Sequence, residues 1–361
     1  MRTASSTKTL FVLTSALCFG LLALAACLSD PQPDIPQDAV ITYETVRLQV
    51  GEEQNQTTTS GLTSDFATLG QPLVGDQSEV RALALNATIH ANLLLYETLA
   101  TVEFISKFPA SAKTDDSWIW ANTEQGLSNR FTLGDRGDGP EGHLYTYSFQ
   151  RKASTEGEDA FATVFDGAVE RVDEPWDSPR VRPGQGIIRY DFDNIKRFDA
   201  RQASGTVAVA FRVRKGVRQV RVFIRNLQDN TMLNPLTAAY EYVQRPGEGG
   251  EFQFRAEADF MNDGLPFEDL DVRLEWLPNG TGRALSVVTR GSIPVEEIVV
   301  HECWNTGGKT VWLQTEPELA EVIGGAETDC DAALQNLVID RPLIETPTDA
   351  DPAIPGPYPG E

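Results

Sequence analysis

The sequence predicts an α+β fold in which β-structure predominates: one large, curved antiparallel meander sheet with one long N-terminal helix packed on it. From about Asp76 to Phe108, apolar residues recur at three- and four-residue intervals, the period of an amphipathic helix. After Pro109 the period changes to two, and such segments alternate with glycine-containing turns to about Leu313. Short turns between successive strands favour antiparallel pairing, so about ten to twelve strands are expected in one sheet.

The start of the chain carries an export signal. Arg2 and Lys8 precede an uncharged apolar run from Leu10 to Ala26, which is the layout of a secretory signal. The run ends in Leu24-Ala25-Ala26-Cys27, and this segment resembles the signal peptide of bacterial lipoproteins. The resemblance implies removal of residues 1–26 and attachment of diacylglycerol and palmitate to Cys27. The alternative is an ordinary signal or anchor helix, although ~17 apolar residues are at the lower limit for crossing a bilayer.

The segments that flank the domain are unlike it in composition. Residues 27–39 are proline-rich and polar, which predicts an extended tether. Residues 341–361 hold six prolines with acidic residues among them and predict a disordered tail. Leu28 stands where an aspartate would resemble an inner-membrane retention signal, so the outer membrane is expected, facing the periplasm or the cell surface. A single domain is expected over 40–340, with its helix at about 76–108 and its strands at about 117–315.

Composition limits the partners. The formal charge is −23, and loss of Arg2 and Lys8 with the signal takes it to −25. Such a chain is repelled by nucleic acid, so none is expected as a partner. The expected partners are the membrane, through the lipid anchor, and a lipid or an envelope protein. The hydrophobic content of 41% suffices for a true core.

Local signals place the main elements. Asp76 with Glu79 is the expected start of the helix and Pro109 its stop, with a break near Asn92. Lys215-Gly216 is the expected turn of a hairpin.

The architecture is similar to that of half-barrel lipoprotein-localisation carriers, although no motif carries the resemblance and no functional residue is transferred. A half-barrel and two packed sheets both remain open.

Two cysteines are left for the domain. Cys18 departs with the signal and Cys27 carries the lipid, which leaves Cys303 and Cys330. The compartment outside the inner membrane is oxidising, so a Cys303–Cys330 disulfide is expected. The alternative is a reactive thiol at Cys303 beside His301, which a disulfide would consume.

No catalytic or metal-binding signature occurs, so no catalytic residue, metal ligand or cofactor is assigned. The loop from Asp259 to Gly264 fails as a calcium-binding EF-hand because Met261 and Leu270 occupy ligand positions. Asp135, Asp138 and Glu141 form a looser acidic cluster, for which the alternative is a solvated hairpin tip; the tripeptide Arg136-Gly137-Asp138 within it is attributed to chance.

The one charge anomaly is positive. Between Arg180 and Arg225 lie 12 of the 30 lysines and arginines. A single hairpin carries six of them as a candidate anion-binding site: Arg212, Arg214, Lys215, Arg218, Arg221 and Arg225. The alternative is cross-strand pairing with acidic residues on neighbouring strands.

These observations predict a membrane-anchored envelope lipoprotein that acts as a non-enzymatic binding or interaction module, with an apolar ligand between helix and sheet as one form. The alternatives are a carboxylate-based hydrolase of envelope carbohydrate or peptide, which needs two converging carboxylates in an open cleft, and a purely structural surface lipoprotein.

Overall fold

The computed structural model describes residues 39–40, 42–48, 74–175, 181–200, 202–228, 235–245, 247–258, 267–291, 293–317, 324–335 and 354. The predicted signal at 1–26, Cys27 and the tether up to residue 38 lie outside the described residues. So does the predicted tail at 341–361, apart from Ile354.

Fourteen antiparallel strands form one open sheet in which each strand pairs with its neighbours in the sequence. The prediction of a mostly β chain built on a large antiparallel meander is therefore confirmed. The strands are β1 (Ala112–Lys113), β2 (Ser117–Glu124), β3 (Leu127–Asp138), β4 (His143–Ala153), β5 (Ala162–Arg171), β6 (Gly184–Asp191), β7 (Ser204–Arg214), β8 (Val217–Gln228), β9 (Leu236–Arg245), β10 (Gly249–Ala258), β11 (Glu268–Trp276), β12 (Gly282–Arg290), β13 (Glu297–Trp304) and β14 (Thr310–Glu316).

Two of these strands, β1 and β3, are additional to those expected from the alternating pattern. β1 has only two residues and is too short to show a period. β3 contains Gly134, Asp135 and Gly137, which are residues typical of turns. The strand accommodates them through a bulge, because its register with β4 shifts between Asp135 and Asp138.

Within the residues that the structure describes, three α-helices accompany the sheet: α1 (Tyr43–Val46), α2 (Glu79–Ile105) and α3 (Phe192–Lys196). α2 has 27 residues, and its N-cap is Ser78, whose hydroxyl accepts a hydrogen bond from the Arg81 N–H at 3.1 Å. The prediction that the helix begins at Asp76 is wrong, and the backbone hydrogen bonding of Asp76 explains why. The Asp76 carbonyl accepts the Thr310 N–H at 2.9 Å, so the chain there is still bound alongside β14.

Asn92 does not break α2. Its side-chain amide accepts the N–H of Leu48 and donates to the carbonyl of the same residue, both at 2.8 Å. The Asn92 amide thus satisfies both the N–H and the carbonyl of Leu48, as the backbone of a neighbouring strand would. The polar residue in the middle of the helix attaches the segment 42–48 to it.

The sheet has an inner face, which faces α2, and an outer face on the opposite side. Side chains alternate between them along each strand. On the inner face, aromatic rings form a chain from Trp120 to Phe131, Phe165 and Tyr190, with centroids 5.5, 6.1 and 6.2 Å apart. The apolar side chains of α2, such as Leu95 at 0% exposure, belong to the same contiguous core.

The two ends of α2 are attached to distant strands. Glu302 on β13 is buried and accepts hydrogen bonds from the Ser78 hydroxyl and the Val80 N–H at the start of the helix. At the other end, the indole N–H of Trp120 on β2 donates to the Phe108 carbonyl at 2.8 Å. α2 therefore crosses the inner face from β13 to β2.

The N-terminal segment of the domain is clamped to the inner face by side chains of the sheet and the β5–β6 connection. The Tyr147 hydroxyl donates to the Ala39 carbonyl, and the Arg182 guanidinium donates to the Val40 carbonyl at 2.9 Å. Arg218 on β8 donates to the carbonyl of Glu44 at 3.0 Å and to that of Arg47, at the end of α1, at 2.6 Å. These hydrogen bonds therefore fix the first described segment of the chain to the sheet.

Candidate functional site

The six basic residues of the predicted anion site lie on the β7–β8 hairpin. Its turn is Lys215-Gly216, as expected, and both residues have positive φ angles of 46° and 83°. Arg212 and Arg214 project from the outer face, and both reach the same carboxylate oxygen of Glu141, at 3.2 and 2.6 Å. Two of the six cations therefore share one carboxylate from the β3–β4 loop.

The other outer-face residues of the hairpin differ in their surroundings. Arg221 donates two hydrogen bonds, at 3.0 and 2.8 Å, to one oxygen of Glu241 on β9. Lys215 is exposed, and its backbone N–H donates to the carboxylate of Glu174. Arg225 lies opposite Thr206 in the register of β7 and β8. An anion that bound to Arg212, Arg214 or Arg221 would have to displace a carboxylate of the protein.

Arg218 points the other way. It pairs in register with Val213, a core residue, and donates to the N-terminal segment as described above. Burial lowers the pKa of its guanidinium. The carbonyl oxygens of Glu44 and Arg47 compensate its charge, so Arg218 holds α1 against the sheet.

The three acids of the predicted cluster do not meet at one point: Asp135 and Asp138 lie against the two nitrogens of the His143 ring, and Glu141 is directed elsewhere. Asp135 bonds the His143 ring at 2.7 Å, and the Gly137 N–H is the main cause that lowers the pKa of Asp135. Glu141 turns to the arginines of β7, while Asp138 is fully exposed. Across the described residues, no three His, Cys, Asp or Glu side chains are placed to hold a metal ion. The segment 259–264 lies outside those residues.

Glu170 on β5 organises the loop that carries Glu141. Its carboxylate accepts hydrogen bonds from the backbone N–H groups of Glu141 and Gly142 and from the side chain of Gln185. Burial would raise the pKa of Glu170, but these donors outweigh burial and lower it. Glu170 is therefore a buried carboxylate that fixes where Glu141 meets the arginines.

Cys303 and Cys330 form a disulfide, with Cα atoms 5.7 Å apart, so that prediction is confirmed. It attaches the segment 324–335 to the outer face beside Trp312. The thiol at Cys303 is consumed, and the alternative of a reactive thiol beside His301 is excluded. Burial lowers the pKa of His301, whose ring lies 6.2 Å from that of Trp312.

A groove of about 580 Å³ lies on the outer face over β3 to β6. Its lining contains the hydroxyls of Thr132, Thr146, Ser148 and Thr163. The sheet register explains why they meet: Thr132 pairs with Ser148, and Thr146 pairs with Gly134 and Ala168. Thr146 therefore has only small cross-strand neighbours. The four hydroxyl residues thus lie on three neighbouring strands, β3, β4 and β5.

Three charged residues complete the groove. Arg136 donates to the Thr146 hydroxyl at 3.2 Å, and Arg189 donates to Asp166 at 3.4 Å. Among the described residues of the lining, Asp166 is the single carboxylate. The pair of converging carboxylates that a glycoside hydrolase requires is therefore not formed by these lining residues.

The sequence did not predict this groove. Its hydroxyl residues are ordinary members of alternating strands, and in the sequence Arg136 stands out only as part of the tripeptide Arg136-Gly137-Asp138. The signal was present in the register: once β3 is recognised, Thr132, Ser148, Asp166 and Arg189 form one cross-strand row. Register is a property of strand pairing, which no single strand reveals.

Comparison with known proteins gives no match, either to a family model or to a curated protein or solved structure. In the part of the chain that the structure describes, no helix combines the length and apolar character needed to cross a membrane.

Proposed function

We propose that this protein is a lipid-anchored protein of the outer membrane that works as a non-enzymatic binding module through the outer face of its sheet. The observation that carries the binding role is the groove over β3 to β6, on the face opposite α2. Pockets that bind ligands combine a concave shape with a few convergent polar groups, and this groove has both.

The anchor rests on the sequence from Leu24 to Cys27. Two features support it. A disulfide between Cys303 and Cys330 suits an exported protein, because such bonds persist in oxidising compartments. Ala39, at the end of the tether, is bound to Tyr147 of the sheet. The 12 residues from Cys27 to Ala39 span at most about 42 Å when extended, so the domain would stay near the membrane surface.

We propose that the inner face serves as the core rather than as a site for an apolar ligand. Leu95 and Leu99 of α2 are 0% and 1% exposed and already contact the sheet. We also propose that the sheet is curved, because the helix is shorter than the width of the strands that it crosses. On a flat sheet, eleven steps of about 4.8 Å, about 53 Å in all, would separate β2 from β13, whereas the 27 residues of α2 span only about 40 Å.

The anchor is tested by Cys27→Ser. Radiolabelled palmitate should label the natural protein and leave the variant unlabelled, and the variant should appear in the soluble fraction. Cys18→Ser is the matched control, because Cys18 lies within the predicted signal and should be removed with it. Equal membrane retention of Cys27→Ser would contradict the proposal.

The choice between the faces is tested by native mass spectrometry of the purified protein. We expect no non-covalent lipid, because the core side chains fill the space between helix and sheet. A bound acyl chain that dissociates when Leu99→Ala is introduced would move the binding site to the inner face.

A further inference from the structure

We propose that the groove over β3 to β6 binds an acidic saccharide, with the acidic group held by Arg136 at the β3 end. The proposal rests on the binding role proposed above and names the class of ligand. Three features of the groove support this proposal. They are its hydroxyl lining, the presence or absence of a carboxylate partner at each of its arginines, and the position of its single carboxylate.

The hydroxyls match the surface of a sugar. Each Thr or Ser hydroxyl can donate one hydrogen bond and accept others, as sugar hydroxyls do. Thr132 and Ser148 occupy adjacent strands in register, about 5 Å apart in the direction across the sheet. A sugar ring that lies across β3 and β4 can therefore meet the hydroxyls of both strands.

Gly134 shapes the floor of the groove. A Cβ atom at Gly134 would lie 2.6 Å from the Thr146 hydroxyl and 3.3 Å from the Arg136 guanidinium. The glycine therefore makes room for these two groups to meet. Arg136 is exposed, and the hydrogen bond to Thr146 uses its Nε, while its Nη groups make no hydrogen bond within the described residues.

The charge of Arg136 is not neutralised as those of the β7–β8 hairpin are. Arg212, Arg214 and Arg221 each lie within 3.2 Å of a carboxylate oxygen. Within the described residues, the one hydrogen bond of Arg136 goes to a hydroxyl. A guanidinium binds a carboxylate or sulfate group in a bidentate geometry, and a neutral partner leaves it available for that contact.

Asp166 gives the groove a direction. It lies on β5, where it forms an ion pair with Arg189 at 3.4 Å, so the arginine at this end of the groove already has a carboxylate partner. A carboxylate can still accept hydrogen bonds from sugar hydroxyls. The acidic group is therefore expected at the β3 end beside Arg136, with neutral rings towards β5 and β6.

The test is a calorimetric titration of the full protein in detergent with a trimer of galacturonic acid. The matched ligand is its methyl ester, which keeps every hydroxyl and loses the charges. We expect the acid to bind at least tenfold more tightly than the ester. Arg136→Gln should weaken binding of the acid by at least tenfold, since charge-assisted hydrogen bonds are lost.

Arg221→Gln is the matched control, because Arg221 is a paired arginine on the same face but outside the groove; it should change the affinity by less than twofold. Thr132→Val, which removes one hydroxyl without contacting Arg136, should weaken binding by about three- to tenfold. Melting temperatures of all variants check that each is folded.

Several outcomes would overturn the inference: binding of the acid weaker than about 1 mM, equal binding of acid and ester, equal loss in the two arginine variants, or equally tight binding of a trimer of glutamate. The palmitate labelling is scored separately. Labelled protein that does not bind the acid contradicts this inference alone, whereas binding by unlabelled protein contradicts only the anchor.

Discussion

The inner and outer faces of the sheet use polar residues in opposite ways. On the inner face, buried polar side chains hold segments of the chain: Arg218 holds α1, Glu302 holds the start of α2, and Trp120 holds its end. On the outer face of β8 to β12, pairs such as Arg221–Glu241 and Arg255–Asp271 join neighbouring strands. The buried polar groups therefore determine how the elements pack against one another. The partly exposed pairs join strands that backbone hydrogen bonds already hold together.

The two ends of the outer face also differ. From β8 to β12, opposite charges compensate each other across the strands. In the groove over β3 to β6, hydroxyls and small residues lie beside the pair Asp166–Arg189, and Arg136 bonds a hydroxyl rather than a carboxylate. Charges that are already paired within the protein are less available to a ligand. The difference therefore indicates that a ligand is to be sought over β3 to β6.

The largest effect is expected from a charge placed on the inner face. Leu95→Asp would bury an unpaired carboxylate, which costs several kcal/mol against a usual total stability of ~5–15 kcal/mol, so the protein should unfold or melt far earlier. Ile89→Asp is the matched control on the same helix, because Ile89 is 43% exposed. Thermal unfolding followed by circular dichroism measures both, and equal losses would mean that α2 does not have a buried and an exposed side.

The inner face was the more predictable of the two. Alternation of apolar residues, as in Val207, Val209 and Phe211, gives the face of each strand directly. Lys215-Gly216 indicated the turn because glycine adopts the positive φ angle of such a turn without strain. β3 was missed because Gly134 and Asp135 are turn residues that a bulge accommodates. Partners on the outer face, such as Glu141 for Arg212, depend on loop geometry 71 residues away in sequence.

Loss of the disulfide should have the next largest effect. Replacing Cys303 and Cys330 together by alanine should lower the free energy of unfolding by about 2–4 kcal/mol, because the unfolded chain loses a constraint. Urea unfolding with and without reductant measures it. The reductant should destabilise the natural protein and leave the double variant unchanged. A similar effect of reductant on both would assign the loss to another cause.

Glu302 should make the inner face sensitive to pH. Burial raises the pKa of Glu302, so the folded state keeps its proton at pH values where the unfolded state has released it. Stability should therefore fall as the pH rises from about 4.5 through the raised value, with a slope of at most about 1.4 kcal/mol per pH unit. Urea midpoints of the natural protein and Glu302→Gln measure it, and the difference between the two curves isolates this residue. Parallel curves would mean that Glu302 does not titrate in that range.

The smallest effect is expected from the outer-face pair Arg221–Glu241. Its side chains are 30% and 20% exposed, and half-exposed pairs of this kind contribute about 0.2–1 kcal/mol. A double-mutant cycle with Arg221→Gln and Glu241→Gln should give a coupling energy in that range, and the coupling should decrease when salt is raised. A coupling above about 2 kcal/mol that is independent of salt would contradict the comparison, because it would give the outer face the same fixing role as the inner one.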